Sequence, residues 1–575
     1  MTLPVSLLLS LVAGAAAALG FEPWGLWPLT VLGIGVLFAL VDAAPGRRTA
    51  AWLGWAWGVG HFTTGLTWIA TAFTFQAKMP AALGWVAVVG LAMFLALYVA
   101  LAAALARALP WSSTSRALGF GASWMLAEWL RGVLLSGFAW NPLGAAWLNV
   151  PGLPLLAEFI GALGLSGLMV IAGAALWLIA QPAVALTQRL AAGGMMLALL
   201  MGAVIGNGQD GETFFADNPA VLVVQPDIGQ DVKYVPGAEA AHLQAYIDLT
   251  RAGLAEAGDD GSAEAPNGNL SSDGATAPDA LPANAGRPVE EAPILDSMGG
   301  ATDAVKAAGV DSDFGDRVES ASTLVVWSES AVFGLVEEDA ALRRQLASAL
   351  RPRDLLLFGG VAAVRDAAGN VTELTNSLFV LDARARIVGR YDKAHLVPLG
   401  EYVPARTLMT ALGLARLAPG DLDFRPGPGP RTLALPGAPA VAPMICYEII
   451  FPHAVINQRQ RPAWIANISN DAWFGPSGPP QHLAQARLRA IEEGLPIVRA
   501  TPTGISAIID AHGNVVASQP AGGRGTIGAT LPPPLPQTLF GIYGHQTSAV
   551  LGLLLLLIGL TTGTGRDGRR DQRRI

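Results

Sequence analysis

The chain has 575 residues, 52% of them hydrophobic and only 14% charged, with a mean hydropathy of +0.44, which excludes an ordinary soluble enzyme. Its formal net charge of −8, with no basic patch outside a short C-terminal tail, excludes nucleic acid as a partner. A single cysteine, Cys446, excludes an intrachain disulfide and any multi-cysteine metal site.

Long apolar runs dominate residues 1–209. A bilayer core takes about 20 apolar residues per helix, with a lower limit near 17. Candidate spans lie at about 5–21, 27–43, 51–72, 81–107, 117–135, 158–180 and 190–206, and an eighth lies at 546–562. The opening "MTLPVSLLL" carries no Lys or Arg, so the first run reads as a span and not as a cleaved signal peptide. Arg47, Arg48, Arg107, Arg116, Arg189 and the arginines of the tail "GRDGRRDQRRI" all fall on one side of an eight-span bundle. Basic loops mark the cytoplasmic side, so both termini are expected inside and the large domain outside. Asp42, Glu128, Arg131 and Glu158 are too few to line a transport pathway and read as packing or headgroup contacts.

Residues 210–540 read as one extracytoplasmic domain, followed at 541–575 by the last span and the basic tail. "AVLVVQPDI", "STLVVWSES", "DLLLFGGVAAV", "SLFVLDA", "AVAPMICYE", "AWIANISND" and "GISAIIDAHGNVV" have the composition of strands. "EDAALRRQLASAL" and "PQHLAQARLRAIEEG" have the period of helices. Continuous apolar strands between helices indicate a sheet covered on both faces, so an α/β or layered αββα domain. Residues 256–320 hold 14 acidic and three basic residues, few aromatics and no period. Such a segment cannot bury enough apolar surface to offset its ordering entropy and is expected to be a disordered insertion.

Three polar groups sit where such strands end: Glu329 after "TLVVWS", Lys393 after "RIVGRYD" and Cys446 after "VAPMI". Their chemistry is complementary. A thiol must lose its proton to attack, a carboxylate can take it, and an ammonium favours the anion and the oxyanion that follows. Only four of the 36 basic residues are lysines: Lys78, Lys233, Lys306 and Lys393. In a chain so biased to arginine, a lysine hints at a site that needs a compact ammonium.

The motifs "VVWSES", "YDKAHLVPLGEYVP" and "ICYEIIFP" resemble the Glu–Lys–Cys signature of the nitrilase superfamily. Together with "NISNDAWFG", "QHLAQARLRAIEEGLPIVRAT", "GFEPWGLWPL" and "EWLRGVLLSGFAWNPLG", they resemble the bacterial apolipoprotein N-acyltransferase family over nearly the whole chain except about 256–320. The resemblance implies an eight-helix transmembrane bundle with a nitrilase-like αββα sandwich inserted before the last span. It implies Glu329 as general base, Lys393 as oxyanion-stabilising cation and Cys446 as nucleophile. Glu401 matches a glutamate that supports the lysine, and Tyr447 and Glu448 match positions that assist the nucleophile, with the Tyr447 amide as a candidate oxyanion donor. Three departures stand out: Ser328 where the family has proline in "WPES", Tyr234 where a lid tryptophan is usual, and Pro502 in "TPTG" in place of "TNNG".

The implied reaction moves an acyl chain from a membrane phospholipid to Cys446 and then to the amino terminus of a diacylglyceryl-cysteine apolipoprotein. No metal or organic cofactor is implied, and a monomer in the bacterial inner membrane is expected. Two rivals stand beside it: a membrane-tethered amidase of nitrilase type, and a transporter with an accessory domain.

Overall fold

A computed structural model describes residues 2–75, 80–108, 111–182, 184–190, 192–194, 218–259, 323–403 and 423–564. Seven of the predicted apolar runs coincide with helices: Leu3–Ala18, Trp27–Ala43, Arg47–Gly65, Ala82–Ala106, Ser113–Val133, Ala157–Ala180 and His545–Thr564. Two segments, Ala82–Ala106 and Leu153–Ala180, are long and apolar enough to cross a membrane, and Leu3–Ala18, Trp27–Ala43 and His545–Thr561 are apolar but shorter. Most of the run at 190–206 and the basic tail lie outside the described residues.

Two runs differ from their sequence reading. The one expected at 51–72 stops at Gly65 and resumes as the short helix Trp68–Ala72. Thr63, Thr64 and Gly65 are poor helix formers in succession, which accounts for the break. The run at 158–180 bends at Gly161, where φ is +63° and a Cβ would collide with the Phe540 ring. The bend frees the Ala162 N–H, which donates to Glu492 Oε1 at 2.7 Å.

The remaining residues build two six-stranded sheets. The strands are β1 (Ala220–Gln225), β2 (Thr323–Val326), β3 (Leu355–Arg365), β4 (Val371–Asp382), β5 (Ile387–Asp392), β6 (Leu433–Leu435), β7 (Ala438–Ile445), β8 (Trp464–Ile468), β9 (Ile497–Ala500), β10 (Ser506–Ile509), β11 (Val515–Gln519) and β12 (Gly525–Thr530). The first sheet runs β12-β1-β2-β3-β4-β5 and the second β11-β10-β9-β8-β7-β6. Each has three parallel strands, β1-β2-β3 and β7-β8-β9, with antiparallel strands at its margins.

Their inner faces meet in one core, where Val221, Val223, Leu324 and Val326 pack with Ile445, Trp464, Ile468 and Val498. Alternate residues face outward. Leu222, Val224 and Val325 pack under Tyr246, Ile247 and Leu346 of the helices Glu239–Asp259 and Ala340–Ala347. Met444, Ile465 and Ile497 pack under the helix Gly478–Glu493, in a core continuous with Trp57, Trp140 and Leu165 of the helical part. Burial on both faces is why the central strands read as unbroken apolar runs. The result is the expected αββα layering.

The segment expected as a disordered insertion from residue 256 opens in a helix. Residues 256–259 are the last turn of the helix Glu239–Asp259, in which Leu254 packs with outward residues of the first sheet and Ala257 is buried. The rest of that segment, 260–320, lies outside the described residues.

Candidate active site

Glu329, Lys393 and Cys446 leave three different strands, β2, β5 and β7, and all three are buried. Two short loops and one tight turn bring them together. Cys446 opens a 3₁₀ turn, Cys446–Ile450, directly after β7 and sits at φ +50°. A non-glycine residue held there stores roughly 1–3 kcal/mol of backbone strain and persists only when its surroundings fix it.

Glu448 does much of that fixing. Its Oε2 accepts the Ile445 N–H at 2.8 Å. Its Oε1 accepts from Tyr391 Oη at 2.7 Å and from the N–H groups of Ala394 and His395 at 2.7 and 3.1 Å. One carboxylate therefore ties the turn of Cys446 to the loop of Lys393. Burial pushes the Glu448 carboxyl upward, and these donors oppose it. The Tyr447 hydroxyl donates to Gly137 O at 3.1 Å and its ring packs on His395 and Phe451, so this side chain fastens the same turn to the helical part.

Lys393 lies between two carboxylates. Its Nζ is 3.0 Å from Glu401 Oε1 and 3.4 Å from Glu329 Oε1. The Asn376 Nδ2 group bridges the same two oxygens, at 2.7 Å to each. Glu329 Oε2 accepts the Asn470 N–H at 2.8 Å, and Glu401 Oε2 accepts the Val397 N–H at 2.8 Å. All four predicted carboxylate and ammonium side chains are thus anchored by donors and acceptors that fix their direction.

The electrostatics define the resting charge state. Burial opposes ionisation of Glu329, but Lys393, the Asn376 bond and Lys233 outweigh it and hold the carboxyl below its usual range. Burial works against the Lys393 ammonium, yet Glu401 and Glu329 hold it above its ordinary value. Burial, followed by the Glu329 charge, pushes the Cys446 thiol up to about 12. The site therefore rests as carboxylate, ammonium and neutral thiol. A charged carboxylate beside a neutral thiol is an arrangement in which the carboxylate can take the proton as the thiol attacks.

Residues 13–175 match the family model described as the apolipoprotein N-acyltransferase N-terminal domain, and residues 314–538 match carbon-nitrogen hydrolase. The apolipoprotein N-acyltransferase of Rhodopseudomonas palustris is 34% identical over 568 residues, covering 96% of this chain and 94% of its own. That of Caulobacter vibrioides is 35% identical over 582 residues, covering 98% and 95%. This chain belongs to the apolipoprotein N-acyltransferase family. Among solved structures, Saccharomyces cerevisiae Nit3 of the nitrilase superfamily aligns at 14% identity and a TM-score of 0.34, over 55% of this chain and 90% of its own.

In this family member Glu329, Lys393 and Cys446 converge despite the three departures from the usual motifs. Ser328 is buried, and its hydroxyl lies 2.5 Å from the Tyr246 hydroxyl under the first sheet. Tyr234 is exposed and packs edge-on against Phe333. The Pro502 carbonyl accepts the Ile228 N–H at 3.2 Å.

Sequence reasoning passed over several residues that build the site. Asn376 lies inside β4, one residue before the quoted "SLFVLDA". Asn470 and Asp471 belong to the quoted "NISNDAWFG" but were given no role. Asp471 bonds Arg499 Nη2 at 2.6 Å, Ser469 Oγ at 2.6 Å and His482 Nδ1 at 3.0 Å, and His482 Nε2 lies 3.3 Å from the Cys446 carbonyl. Burial works against the Asp471 charge, but Arg499 and His482 hold its carboxyl well below the usual range. Lys233 is a further omission, and the rarity of lysine in the sequence was the available signal. Among the described residues no cluster of His, Cys, Asp and Glu could hold a metal ion.

Glu128 and Arg131, expected as packing or headgroup contacts, both make hydrogen bonds within the helical part. Arg131 Nη1 donates to Trp140 O at 2.7 Å and lies over the Phe62 ring, and Glu128 Oε1 accepts from Trp124 Nε1 and Leu143 N.

Proposed function

We propose that this protein transfers an acyl chain from a membrane phospholipid, through a thioester on Cys446, to the amino terminus of the diacylglyceryl-cysteine of apolipoproteins. The observation that carries this reading is the convergence of Glu329, Lys393 and Cys446 in a chain that matches apolipoprotein N-acyltransferases over nearly its full length.

In the first half-reaction Glu329 takes the Cys446 proton as Sγ attacks the acyl ester carbonyl. The oxyanion forms against the Lys393 ammonium and the Tyr447 amide. Collapse breaks the ester C–O bond, and Glu329 returns its proton to the departing lysophospholipid oxygen. In the second half-reaction the acceptor amine attacks the thioester and Glu329 takes a proton from that nitrogen. Collapse releases an amide and the Cys446 thiolate, which recovers the proton from Glu329. Glu401 holds Lys393, and Glu448 with Tyr447 holds the nucleophile turn.

An eight-span bundle with both termini in the cytoplasm, a catalytic domain at 210–540 on the opposite face and a disordered insertion within it complete the reading. The outward apolar side chains of the helices support the membrane setting. Leu8, Trp52, Val86, Leu97, Phe159 and Leu553 are all more than half exposed, as lipid-facing residues are. The reading takes the protein as a monomer.

Mass spectrometry of protein taken from membranes is expected to find an acyl adduct on the Cys446 peptide, and an absence of adduct after incubation with phospholipid but without acceptor refutes the mechanism. Sidedness has its own test, because Cys446 is the sole thiol. A membrane-impermeant thiol reagent should label spheroplasts from outside, and labelling confined to inverted vesicles overturns the topology.

A further inference from the structure

Among the described residues there are two lysines, Lys233 and Lys393, and both end in the same site. Where a cation serves only to pair with a carboxylate, this chain uses arginine: Arg116 with Asp42, Arg351 with Asp354, Arg390 with Asp392 and Arg499 with Asp471. Lys393 is explained by the carboxylates around it. Lys233 is not, because no carboxylate oxygen among the described residues lies within ion-pair distance of it.

Lys233 ends the short helix Gln230–Lys233 and is only 3% exposed. Its Nζ donates to the main-chain oxygen of Glu329 at 3.3 Å. With the Asn470 amide turned so that its oxygen accepts from Trp473 Nε1 at 3.2 Å, that oxygen also accepts from Lys233 Nζ at 3.3 Å. A buried ammonium held only by neutral oxygens is costly, and such a cost is usually retained at sites of chemistry.

We propose that Lys233 is a positioning residue for the general base: its ammonium ties the main chain of Glu329 to the side chain of Asn470, whose own N–H grips the second carboxylate oxygen. The inference rests on Glu329 being that base. Lys233 is also the second ammonium, after Lys393, whose charge acts on Glu329. Burial lowers the Lys233 ammonium to about 8, with Glu329 and then Cys446 opposing the fall. The groups facing Glu329 are Lys393, Lys233, Cys446 and Tyr234, with Glu401 across Asn376; those facing Lys233 are Glu329, Cys446, the Tyr234 ring and His242.

The sign of the consequence follows. A positive charge beside a carboxylate lowers its proton affinity, so losing that charge lets Glu329 hold a proton to higher pH. The full-length protein in phospholipid micelles, followed by intact-mass measurement of single-turnover acylation of Cys446 from pH 3 to 8, reads this directly. Lys233→Met should move the acid limb of the rate profile upward by about one pH unit, so that the slowing is largest, up to about tenfold, at the acid end of the profile. Lys233→Arg keeps the charge and should keep the limb near the wild-type position while the rate falls, because the guanidinium fits the two oxygens poorly. A methionine variant with the wild-type limb overturns the proposal, whether its rate is normal or uniformly reduced, since uniform loss means packing alone. If the methionine variant does not fold, the arginine variant decides: a limb displaced despite the retained charge, or an unchanged rate and limb, overturns it. Glu329→Gln separates the two readings, because acylation that persists in that variant removes the base assignment itself.

Discussion

The two sheets share one design but meet different surroundings. The first, which supplies Glu329, Asn376 and Lys393, is covered by a helix, Glu239–Asp259, whose outer face is open to water: Gln244 bonds Asp248, and Arg251 bonds Ser348, all at the surface. The second, which supplies Cys446, Asn470 and Asp471, is covered by Gly478–Glu493, and the helical part covers that helix in turn. Gln481, His482, Gln485, Arg489, Glu492 and Glu493 are all buried there. Trp140 Nε1 donates to Gln481 Oε1 at 2.8 Å, Gln485 Nε2 to Asn141 Oδ1 at 3.0 Å, and the freed Ala162 N–H to Glu492. A helix whose polar side would be solvated in a free-standing sandwich is here an interface. Cys446 is thereby fixed relative to the helical part, while Glu329 is carried on the half that faces water.

The largest effect expected is chemical and falls on the fixed half. Cys446→Ser should lower acyl transfer by about four orders of magnitude or more while the protein stays folded, because members of a catalytic unit fail together. Near-normal transfer by that variant, in an assay with phospholipid donor and apolipoprotein acceptor, would remove Cys446 as nucleophile.

The next effect is structural and confined to the same half. Arg489 Nη2 lies 3.0 Å from Glu492 Oε2, both side chains fully buried. Arg489→Met strands two buried glutamates and should cost about 3–5 kcal/mol of stability, read as a drop in the thermal unfolding midpoint. Adding Glu492→Gln should recover much of the loss. Arg251→Ala on the exposed helix should cost within about 0.5 kcal/mol. Equal losses on the two helices would erase the contrast between the halves.

Lys393→Arg tests the water-facing half. The charge is kept, but a planar guanidinium cannot take the place of an ammonium between Glu329, Glu401 and the bridging Asn376. Turnover is expected below about a tenth of wild type, with folding unchanged. Activity above that level would assign Lys393 a diffuse electrostatic role instead of a fixed contact.

What could be read in the sequence follows from how local each signal is. Glu329, Lys393 and Cys446 end apolar runs and stand in recognisable motifs, so each announced itself. Asn376 and Lys233 act through partners far along the chain, and no local pattern marks such contacts. Strands β6, β9 and β12 went unread because "LAL", "IVRA" and "GTIGAT" are short, charged or glycine-rich. "GISAIIDAHGNVV" is two strands and not one, since Asp510 Oδ1 accepts the N–H groups of His512 and Asn514 and closes a turn. Nothing in the period of Gly478–Glu493 reveals that a second layer covers its polar residues.

The smallest effect predicted is a pH dependence seated in that covered layer. Burial pushes the Glu493 carboxyl up to about 7, with Gln458 opposing and the neighbouring Glu492 reinforcing, and pushes Glu492 up to about 6. The unfolded chain releases the Glu493 proton near pH 4.3. Between that value and about 7 the folded protein holds a proton that the unfolded chain has lost, so folding stability falls as pH rises through the interval. Glu493→Gln has no proton to lose and should remove this part of the decline. Thermal unfolding of the full-length protein should then differ little between variant and wild type at pH 5, and favour the variant by about 1–2 kcal/mol at pH 8. Arg251→Ala, on the water-facing helix, should show no such pH-dependent gain. If Glu493→Gln keeps the wild-type pH slope, Glu493 is solvated in the working protein, and the helix Gly478–Glu493 is less tightly covered than the second sheet's packing implies.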